Sequence, residues 1–199
     1  MSGLRSMETT HKSTTVLRCR VAVVGDATVG KSALLQVLKS NGHEYPKNYV
    51  MTAGVELHVK SVAIPDTNVV VELYLLDCAG QSVFNQREFG TLHYRNASIA
   101  VVVFDVNNKE SFKSSTKWLQ DVVGASPNLN IPGVLVANKT DLRENNRDAV
   151  SAKDAQELAD RHELKYFECS AQQNAGVEAP FVYIAEWFYK KYQSAAGRA

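Results

Sequence analysis

Residues 25–32, with the sequence GDATVGKS, constrain the fold of this chain more than any other feature. They fit the phosphate-binding pattern G-x-x-x-x-G-K-[ST], in which backbone N–H groups of a loop and of a helix N-terminus surround an anion. Lys31 would reach the outer phosphates, and the hydroxyl of Ser32 would bind Mg²⁺. A β-branched apolar run (21–24) precedes the motif, and residues 33–38 follow it with helical apolar spacing. The loop therefore lies between a strand and a helix, but it does not by itself specify which nucleotide binds.

Composition excludes several classes of protein. A chain of 199 residues with 45% hydrophobic and 22% charged residues suits one soluble domain with a sizeable core. The net charge of +1 provides no electrostatic basis for binding nucleic acid or an acidic membrane. Three scattered cysteines fit a reducing compartment better than a disulfide framework, and the five histidines show no metal-ligand spacing.

Strand-like and helix-like runs alternate along the chain, which predicts an α/β fold. We predict strands near residues 18–24, 54–64, 68–76, 98–105, 132–137 and 165–169, and helices near residues 31–40, 109–123, 151–161 and 177–193. Residues 65–67 (Pro-Asp-Thr) signal a turn, so the second and third strands should form an antiparallel hairpin at the sheet edge. The predicted architecture is a six-stranded, mostly parallel sheet with one antiparallel edge strand and helices on both faces.

Both ends of the chain are predicted to be flexible tails, residues 1–16 and 194–199, around one domain at 17–193. No apolar run is long enough to span a bilayer. Ser2 stands where N-terminal myristoylation requires glycine, and no terminal cysteine is available for prenylation. We therefore expect no direct membrane anchor, so that any membrane association comes through a partner.

A second group of residues with phosphate and metal chemistry surrounds the third predicted strand. Asp77 at its end can hold Mg²⁺, usually through water. Gly80 lets the backbone approach a γ-phosphate closely, and Gln81 can orient a water for in-line attack. In the loop after the first helix, Thr52 can add a hydroxyl to Mg²⁺ and an N–H to the γ-phosphate, and Tyr45 can pack against the base. Taken singly, these residues also fit a helix cap, a glycine turn and plain loop positions.

The loops after the last two strands carry chemistry that discriminates between bases. The carboxylate of Asp141 can accept hydrogen bonds from N1–H and the exocyclic amine of guanine, two donors that adenine lacks. Sites of this kind discriminate by on the order of 10⁴-fold. The stem of Lys139 can lie over the base, Asn138 can tie the phosphate loop to the base loop, and the N–H of Ala171 can donate to guanine O6. Because all these loops follow apolar strands, they should gather at the carboxyl end of the sheet, where open α/β sheets bind ligands.

The joint pattern resembles the Ras-superfamily small GTPases over roughly residues 18–193. Residues 45–56 (YPKNYVMTAGVE) and 104–112 (FDVNNKESF) look Rab-like. Residues 64–67 (IPDT) and 133–141 (GVLVANKTD) are similar to the Rab-like GTPases of intraflagellar transport complex B, an assembly of cilia and flagella. The missing C-terminal cysteine departs from ordinary Rab proteins.

This resemblance implies a Ras-like fold, GTP/GDP and Mg²⁺ as ligands, and GTPase activity. It further implies assembly with complex B subunits, in particular a tight heterodimer with the small β-sandwich subunit twenty-five, and effectors that depend on the GTP state. The implied location is the cytoplasm and the cilium or flagellum with its base.

The resemblance also assigns roles residue by residue. The implied nucleotide contacts are Gly25, Asp26, Ala27, Thr28, Val29, Gly30, Lys31, Ser32, Ala33, Tyr45, Thr52, Gly80, Asn138, Lys139, Asp141, Leu142, Ser170, Ala171 and Gln172. The implied metal ligands are Ser32, Thr52 and Asp77, and the implied catalytic residues are Gln81, Lys31, Thr52 and Gly80.

One departure from the family bears on the rate of hydrolysis. Ala27 stands where Ras has glycine, and its Cβ would point into the space that an attacking water or an arginine finger uses. Because Gln81 is present, we expect GTP hydrolysis to occur. Because Ala27 crowds the reacting position, we expect it to be slow, on a scale of about 10⁻⁴ s⁻¹ or below. Three alternatives remain: a structural subunit that binds GTP without a hydrolysis cycle, a vesicle-traffic GTPase outside cilia, and a P-loop kinase or ATPase, which residues 138–141 disfavour.

The last predicted helix is rich in aromatic residues. Its core face is predicted to comprise Phe181, Ile184, Ala185 and Phe188. Four further aromatic residues fall outside that stripe, namely Tyr183, Trp187, Tyr189 and Tyr192. They predict either an exposed surface for the β-sandwich partner or a wide helix that is covered by the N-terminal tail.

Overall fold

The computed structural model describes residues 13–80, 95–125 and 132–197. Within these residues, six strands form one sheet in the order β2-β3-β1-β4-β5-β6. The strands are β1 Thr15–Val24, β2 Val55–Ala63, β3 Val69–Cys78, β4 Ile99–Asp105, β5 Gly133–Asn138 and β6 Lys165–Glu168. All neighbouring strands pair in parallel except β2, which pairs antiparallel with β3 at the edge. The predicted sheet, including its antiparallel edge strand, is confirmed.

Helices cover both faces of this sheet. They are α1 Lys31–Lys39, α2 Lys109–Gly124, α3 Ala152–Arg161 and α4 Ala179–Ala196, with a 3₁₀ helix at Thr140–Asn145. Leu34 of α1 and Phe181 of α4 belong to the apolar core on one face. Trp118 of α2 and Ala155 of α3 belong to the core on the other. Strands β4 and β5 are buried along nearly their whole length because they lie between these two layers, as their uniformly apolar sequences predict.

The hairpin between β2 and β3 forms where the turn signal predicts it. Asp66 adopts a left-handed conformation with φ of 57°. The Thr67 hydroxyl donates to the Ile64 carbonyl at 2.9 Å and accepts from the Val69 N–H at 3.1 Å. These local bonds satisfy backbone groups that the ladder leaves unpaired, which sets the register of the edge strand.

The ordered structure extends further toward both termini than the sequence predicts. Strand β1 begins at Thr15 and not near residue 18, because the Thr15 N–H donates to the Asn68 carbonyl at 2.9 Å and the Asn68 side chain donates to the Ser13 carbonyl at 2.7 Å. Residues 13–16, which the sequence assigns to a tail, thus run beside β3 or the turn before it. Helix α4 continues to Ala196, three residues beyond its predicted end, through alanines that favour a helix.

The aromatic residues of α4 are less exposed than the apolar stripe predicts. Tyr183, Trp187 and Tyr189 are partly buried and pack against the core, and Tyr183 lies 5.6 Å from Phe167 between ring centroids. Of the four, Tyr192 is exposed, at 46%. Of the two predicted alternatives, an exposed aromatic surface does not hold for Tyr183, Trp187 and Tyr189, which pack against the core; the N-terminal residues 1–12 that the other alternative invokes lie outside the described residues. Across the described residues, no helix is both long and apolar enough to cross a membrane.

Candidate nucleotide-binding site

The phosphate loop joins β1 to α1 and encloses the side chain of Lys31. The Lys31 ammonium is 6% exposed and donates to the carbonyls of Gly25 at 2.8 Å and Asp26 at 2.9 Å. Burial lowers the pKa of Lys31, while the charge of Asp77 opposes that shift. Gly25 has a φ of 144°, and a Cβ there would overlap the Val103 carbonyl. Glycine is thus required for the loop to lie this close to β4.

A tryptophan from the opposite face of the sheet fastens this loop. The indole N–H of Trp118 in α2 donates to Oδ1 of Asp26 at 2.7 Å. The two residues are 92 positions apart, and the sequence predicts Asp26 only as a phosphate-loop contact. Trp118 therefore fixes the loop next to Ala27 from a helix that carries none of the predicted site residues.

The three predicted metal ligands lie together below the loop. The Ser32 hydroxyl donates to Oδ2 of Asp77 at 2.5 Å, and it lies 3.0 Å from the Thr52 hydroxyl. Asp77 is fully buried, and its Oδ1 has no hydrogen-bond partner among the described residues. Burial raises the pKa of Asp77, while the Ser32 hydrogen bond opposes this shift. Two hydroxyl groups and a buried carboxylate thus converge, and one carboxylate oxygen has no hydrogen-bond partner among the described residues. This set of oxygen ligands fits a hard divalent cation such as Mg²⁺.

Gly80 closes the phosphate side of the site. Its Cα lies against the backbone of Asp26 and Ala27, and a Cβ at this position would overlap that backbone. A residue with a side chain would therefore push the loop after β3 away from the phosphate loop. Gln81, the predicted water-orienting residue, lies outside the described residues.

Asn138 connects the phosphate loop with both predicted base loops. Its side chain is 1% exposed; Nδ2 donates to the Val29 carbonyl at 2.9 Å, and Oδ1 accepts from the Ala171 N–H at 3.2 Å. The loop that carries Asp141 is held further by Thr140, whose hydroxyl donates to the Cys169 carbonyl at 3.1 Å. One buried amide thus holds three loops that are far apart in sequence.

The carboxylate and ammonium groups of the base loops have defined partners. Oδ1 of Asp141 accepts a hydrogen bond from Ser170 at 2.5 Å, which orients the carboxylate. Lys139 has a φ of 64°, and its ammonium lies 2.7 Å from Oδ2 of Asp105. This ion pair stretches the lysine side chain along the end of the sheet, next to the cavity.

A cavity of about 1070 Å³ occupies the phosphate end of this region, a size at the upper end of small-molecule sites. Ten of the predicted nucleotide contacts line it, namely Ala27, Thr28, Gly30, Lys31, Ser32, Ala33, Tyr45, Thr52, Gly80 and Lys139. Asp141, Leu142 and residues 170–172 do not line this cavity; they lie at the base end, where Leu142 is 39% exposed and Gln172 is exposed.

Among the lining residues that are not predicted from the sequence, Glu56 and His58 of β2 carry metal-ligating side chains close to each other. Nε2 of His58 lies 3.6 Å from Oε1 of Glu56, and one ligand atom of each lies within 4.8 Å of a carboxylate oxygen of Asp77. The histidines show no metal-ligand spacing in the sequence, but the fold brings His58 close to Glu56 and Asp77. The sequence does contain a signal for this cluster, because Glu56 and His58 are two residues apart on a predicted strand and therefore lie on the same face of it.

Comparisons with known proteins agree with this geometry. Residues 20–190 match the model of the Ras family, whose members in general bind GTP, GDP and Mg²⁺ and are GTPases. The chain is 44% identical to intraflagellar transport protein 27 of Chlamydomonas reinhardtii over 183 residues, which cover 90% of this chain and 88% of that protein. It is 40% identical to the homolog of that protein in Mus musculus over 177 residues, or 89% and 93% of the two chains.

A Rab relative is more distant. The chain is 36% identical to Ras-related protein Rab-1 of Theileria parva over 168 residues, which cover 84% of this chain and 72% of that protein. By the extent of the family match and by these identities, the chain belongs to the Ras family, as a Rab-like member similar to intraflagellar transport protein 27.

Proposed function

We propose that this protein binds GTP and GDP together with Mg²⁺, hydrolyses GTP slowly to GDP and phosphate, and acts as a Rab-like subunit of the intraflagellar transport machinery. The observation that carries the ligand assignment is the convergence of Ser32, Thr52 and Asp77 below the phosphate loop. One buried oxygen of Asp77 has no hydrogen-bond partner in the part of the chain that the structure describes. A dication there would satisfy this oxygen and neutralise phosphate charge, which is the chemistry that Mg²⁺ supplies when bound.

The residues of the chain divide the binding of the nucleotide between them. Lys31 presents its ammonium beside the loop backbone, where outer phosphates would lie. Ser170 orients the Asp141 carboxylate, which would accept the two guanine donors. Asn138 holds the phosphate and base loops at a fixed separation. Recognition of guanine therefore depends on a preorganised carboxylate, which adenine would leave unpaired.

We attribute slow turnover to the residues beside the proposed γ-phosphate position. Ala27 carries a Cβ there, and Gly80 packs against the backbone of Asp26 and Ala27. Gln81 is retained in the sequence to orient a water. We propose that nucleotide binding is tight, and that the chemical step is slow unless a partner assists it.

Nucleotide competition tests the binding proposal. GTP and ATP compete separately with a fluorescent GDP analogue on the purified protein in millimolar Mg²⁺. We expect ATP to need a concentration on the order of 10⁴-fold higher than GTP. Equal competition by ATP would contradict guanine recognition and support the kinase or ATPase alternative. Single-turnover hydrolysis of bound GTP tests the rate, and a value far above about 10⁻⁴ s⁻¹ would contradict slow turnover.

The transport role rests on the relatives that are named for intraflagellar transport. We propose a heterodimer with the small β-sandwich subunit twenty-five within complex B, and a location in the cytoplasm and in the cilium or flagellum. Co-expression of the two chains followed by gel filtration, with GTP-loaded and GDP-loaded samples compared, tests this assembly. Co-elution in both nucleotide states would favour a structural subunit. Co-elution in one nucleotide state would favour a molecular switch. Separate elution in both states would contradict the heterodimer.

A further inference from the structure

The antiparallel edge strand β2 brings two metal-ligating side chains to the carboxylate of Asp77. In the register of β2 and β3, Glu56 lies directly opposite Asp77, and His58 lies two residues further on the same face of β2. Nε2 of His58 is 3.6 Å from Oε1 of Glu56, and single ligand atoms of all three residues lie within 4.8 Å of one another. An imidazole and two carboxylates therefore converge at the border of the large cavity.

Asp77 is the fully buried member of this cluster; its Oδ2 accepts from Ser32, and its Oδ1 has no partner among the described residues. This oxygen, which also supports the Mg²⁺ assignment, belongs to the carboxylate that the two sites would share. His58 is also largely enclosed, with 14% of its side chain exposed, while the side chain of Glu56 is 66% exposed and free to rotate. The cluster therefore combines two enclosed side chains, Asp77 and His58, with the more exposed side chain of Glu56.

The spacing suits a cation with bonds of about 2.1 Å to nitrogen and oxygen. Ligand atoms around such an ion stand roughly 3 to 4 Å apart. The pair of His58 and Glu56, at 3.6 Å, already fits this range, and the distances to Asp77, which lie within 4.8 Å, would shorten on binding. An imidazole nitrogen favours cobalt, nickel and zinc over magnesium, which prefers oxygen ligands. The donor set therefore differs in kind from the all-oxygen group of Ser32, Thr52 and Asp77.

We propose that Glu56, His58 and Asp77 bind a transition-metal dication next to the predicted Mg²⁺ position, with Asp77 shared between the two. The inference rests on the proposed function in one respect, since Asp77 is also a predicted ligand of Mg²⁺. The ammonium of Lys31 is held by carbonyls of the phosphate loop, and its charge also acts on Asp77. A dication at the cluster would therefore bind in the presence of this positive charge.

Cobalt binding to the full-length, GDP-loaded protein tests this site. With millimolar Mg²⁺ present to saturate the nucleotide position, Co²⁺ is added and followed by its visible absorption. Wild type should bind Co²⁺, and His58→Gln should weaken binding by at least about tenfold, the scale on which even outer-shell partners act. His43→Gln, which changes an exposed histidine outside the cluster, is the matched control and should bind like wild type. Equal Co²⁺ affinity of wild type and His58→Gln would overturn the proposal.

The nucleotide content of each sample separates failure of this inference from failure of the proposed function. Loss of GDP recognition would contradict the proposed function, whereas retained GDP with no His58-dependent Co²⁺ binding would contradict the metal site alone. Pulsed electron paramagnetic resonance with Cu²⁺, a dication that imidazole ligands favour, provides a direct readout in the presence of millimolar Mg²⁺. We expect nuclear modulation from a coordinated imidazole nitrogen, absent in His58→Gln; absence of the signal in wild type would also overturn the proposal.

Discussion

Replacing Asn138 with alanine should loosen the phosphate loop and the base loops at the same time. The buried amide donates to the Val29 carbonyl and accepts from the Ala171 N–H. Both backbone groups belong to buried residues, 0% and 4% exposed, so truncation leaves each of them without a partner and out of reach of bulk water. A buried polar group that loses its partner costs about 1–3 kcal/mol. Two such groups predict a loss of roughly 2–6 kcal/mol in the free energy of unfolding.

Thermal unfolding measures this loss directly. For a chain of this size, each kcal/mol lowers the midpoint by about 2–4 °C, so Asn138→Ala should lower it by at least about 4 °C. Asn68→Ala is the matched control, because its side chain makes one exposed hydrogen bond, to the Ser13 carbonyl. Dissociation of a fluorescent GDP analogue should also accelerate in Asn138→Ala and not in Asn68→Ala. If the two variants unfold at the same temperature, the assignment of Asn138 as the connection between the loops is wrong.

Three further substitutions test single parts of the site. Asp141→Asn should weaken GTP binding by on the order of 10⁴-fold in nucleotide competition, while Asp148→Asn, at a position whose side chain is 89% exposed, should leave it unchanged. Ala27→Gly should preserve GTP affinity and raise the single-turnover hydrolysis rate; an unchanged rate would remove Ala27 as the cause of slow turnover. Trp118→Phe removes a hydrogen bond to a carboxylate, worth about 1.5–3 kcal/mol, and should accelerate GDP dissociation, whereas Trp187→Phe should not.

The sheet and the phosphate loop are predictable because local sequence determines them. β4 and β5 are apolar along nearly their whole length because both of their faces are covered. Their burial can therefore be predicted from their own residues, without knowing which segments cover them. Gly25 and Gly30 stand where φ is positive, so the loop motif encodes its own backbone. The position of the hairpin turn follows in the same way from Pro65, Asp66 and Thr67.

Several features that the sequence does not predict depend on contacts between distant segments. Thr15 joins β1 because the hairpin presents the Asn68 carbonyl to it, although a polar serine- and threonine-rich segment gives no strand signal. Trp118 reaches Asp26 across 92 positions, and no local pattern pairs an indole in a helix with a loop carboxylate. Trp187 packs partly against the core although it lies outside the apolar stripe of α4, and the period of a helix alone does not indicate this contact.

Asp77 shows why this site is better suited to binding than to stability. A fully buried carboxylate with one unpaired oxygen destabilises the folded chain, and the raised pKa of Asp77 reflects the desolvation of its charged form. Ser32 offsets part of this cost with one hydrogen bond. A cation that binds the folded state alone would offset more, by about 2.7 kcal/mol at one hundred times its dissociation constant. Ligand binding and folding are therefore coupled at Asp77. A substitution of Asp77 or of Ser32 should change both the cation affinity and the free energy of unfolding.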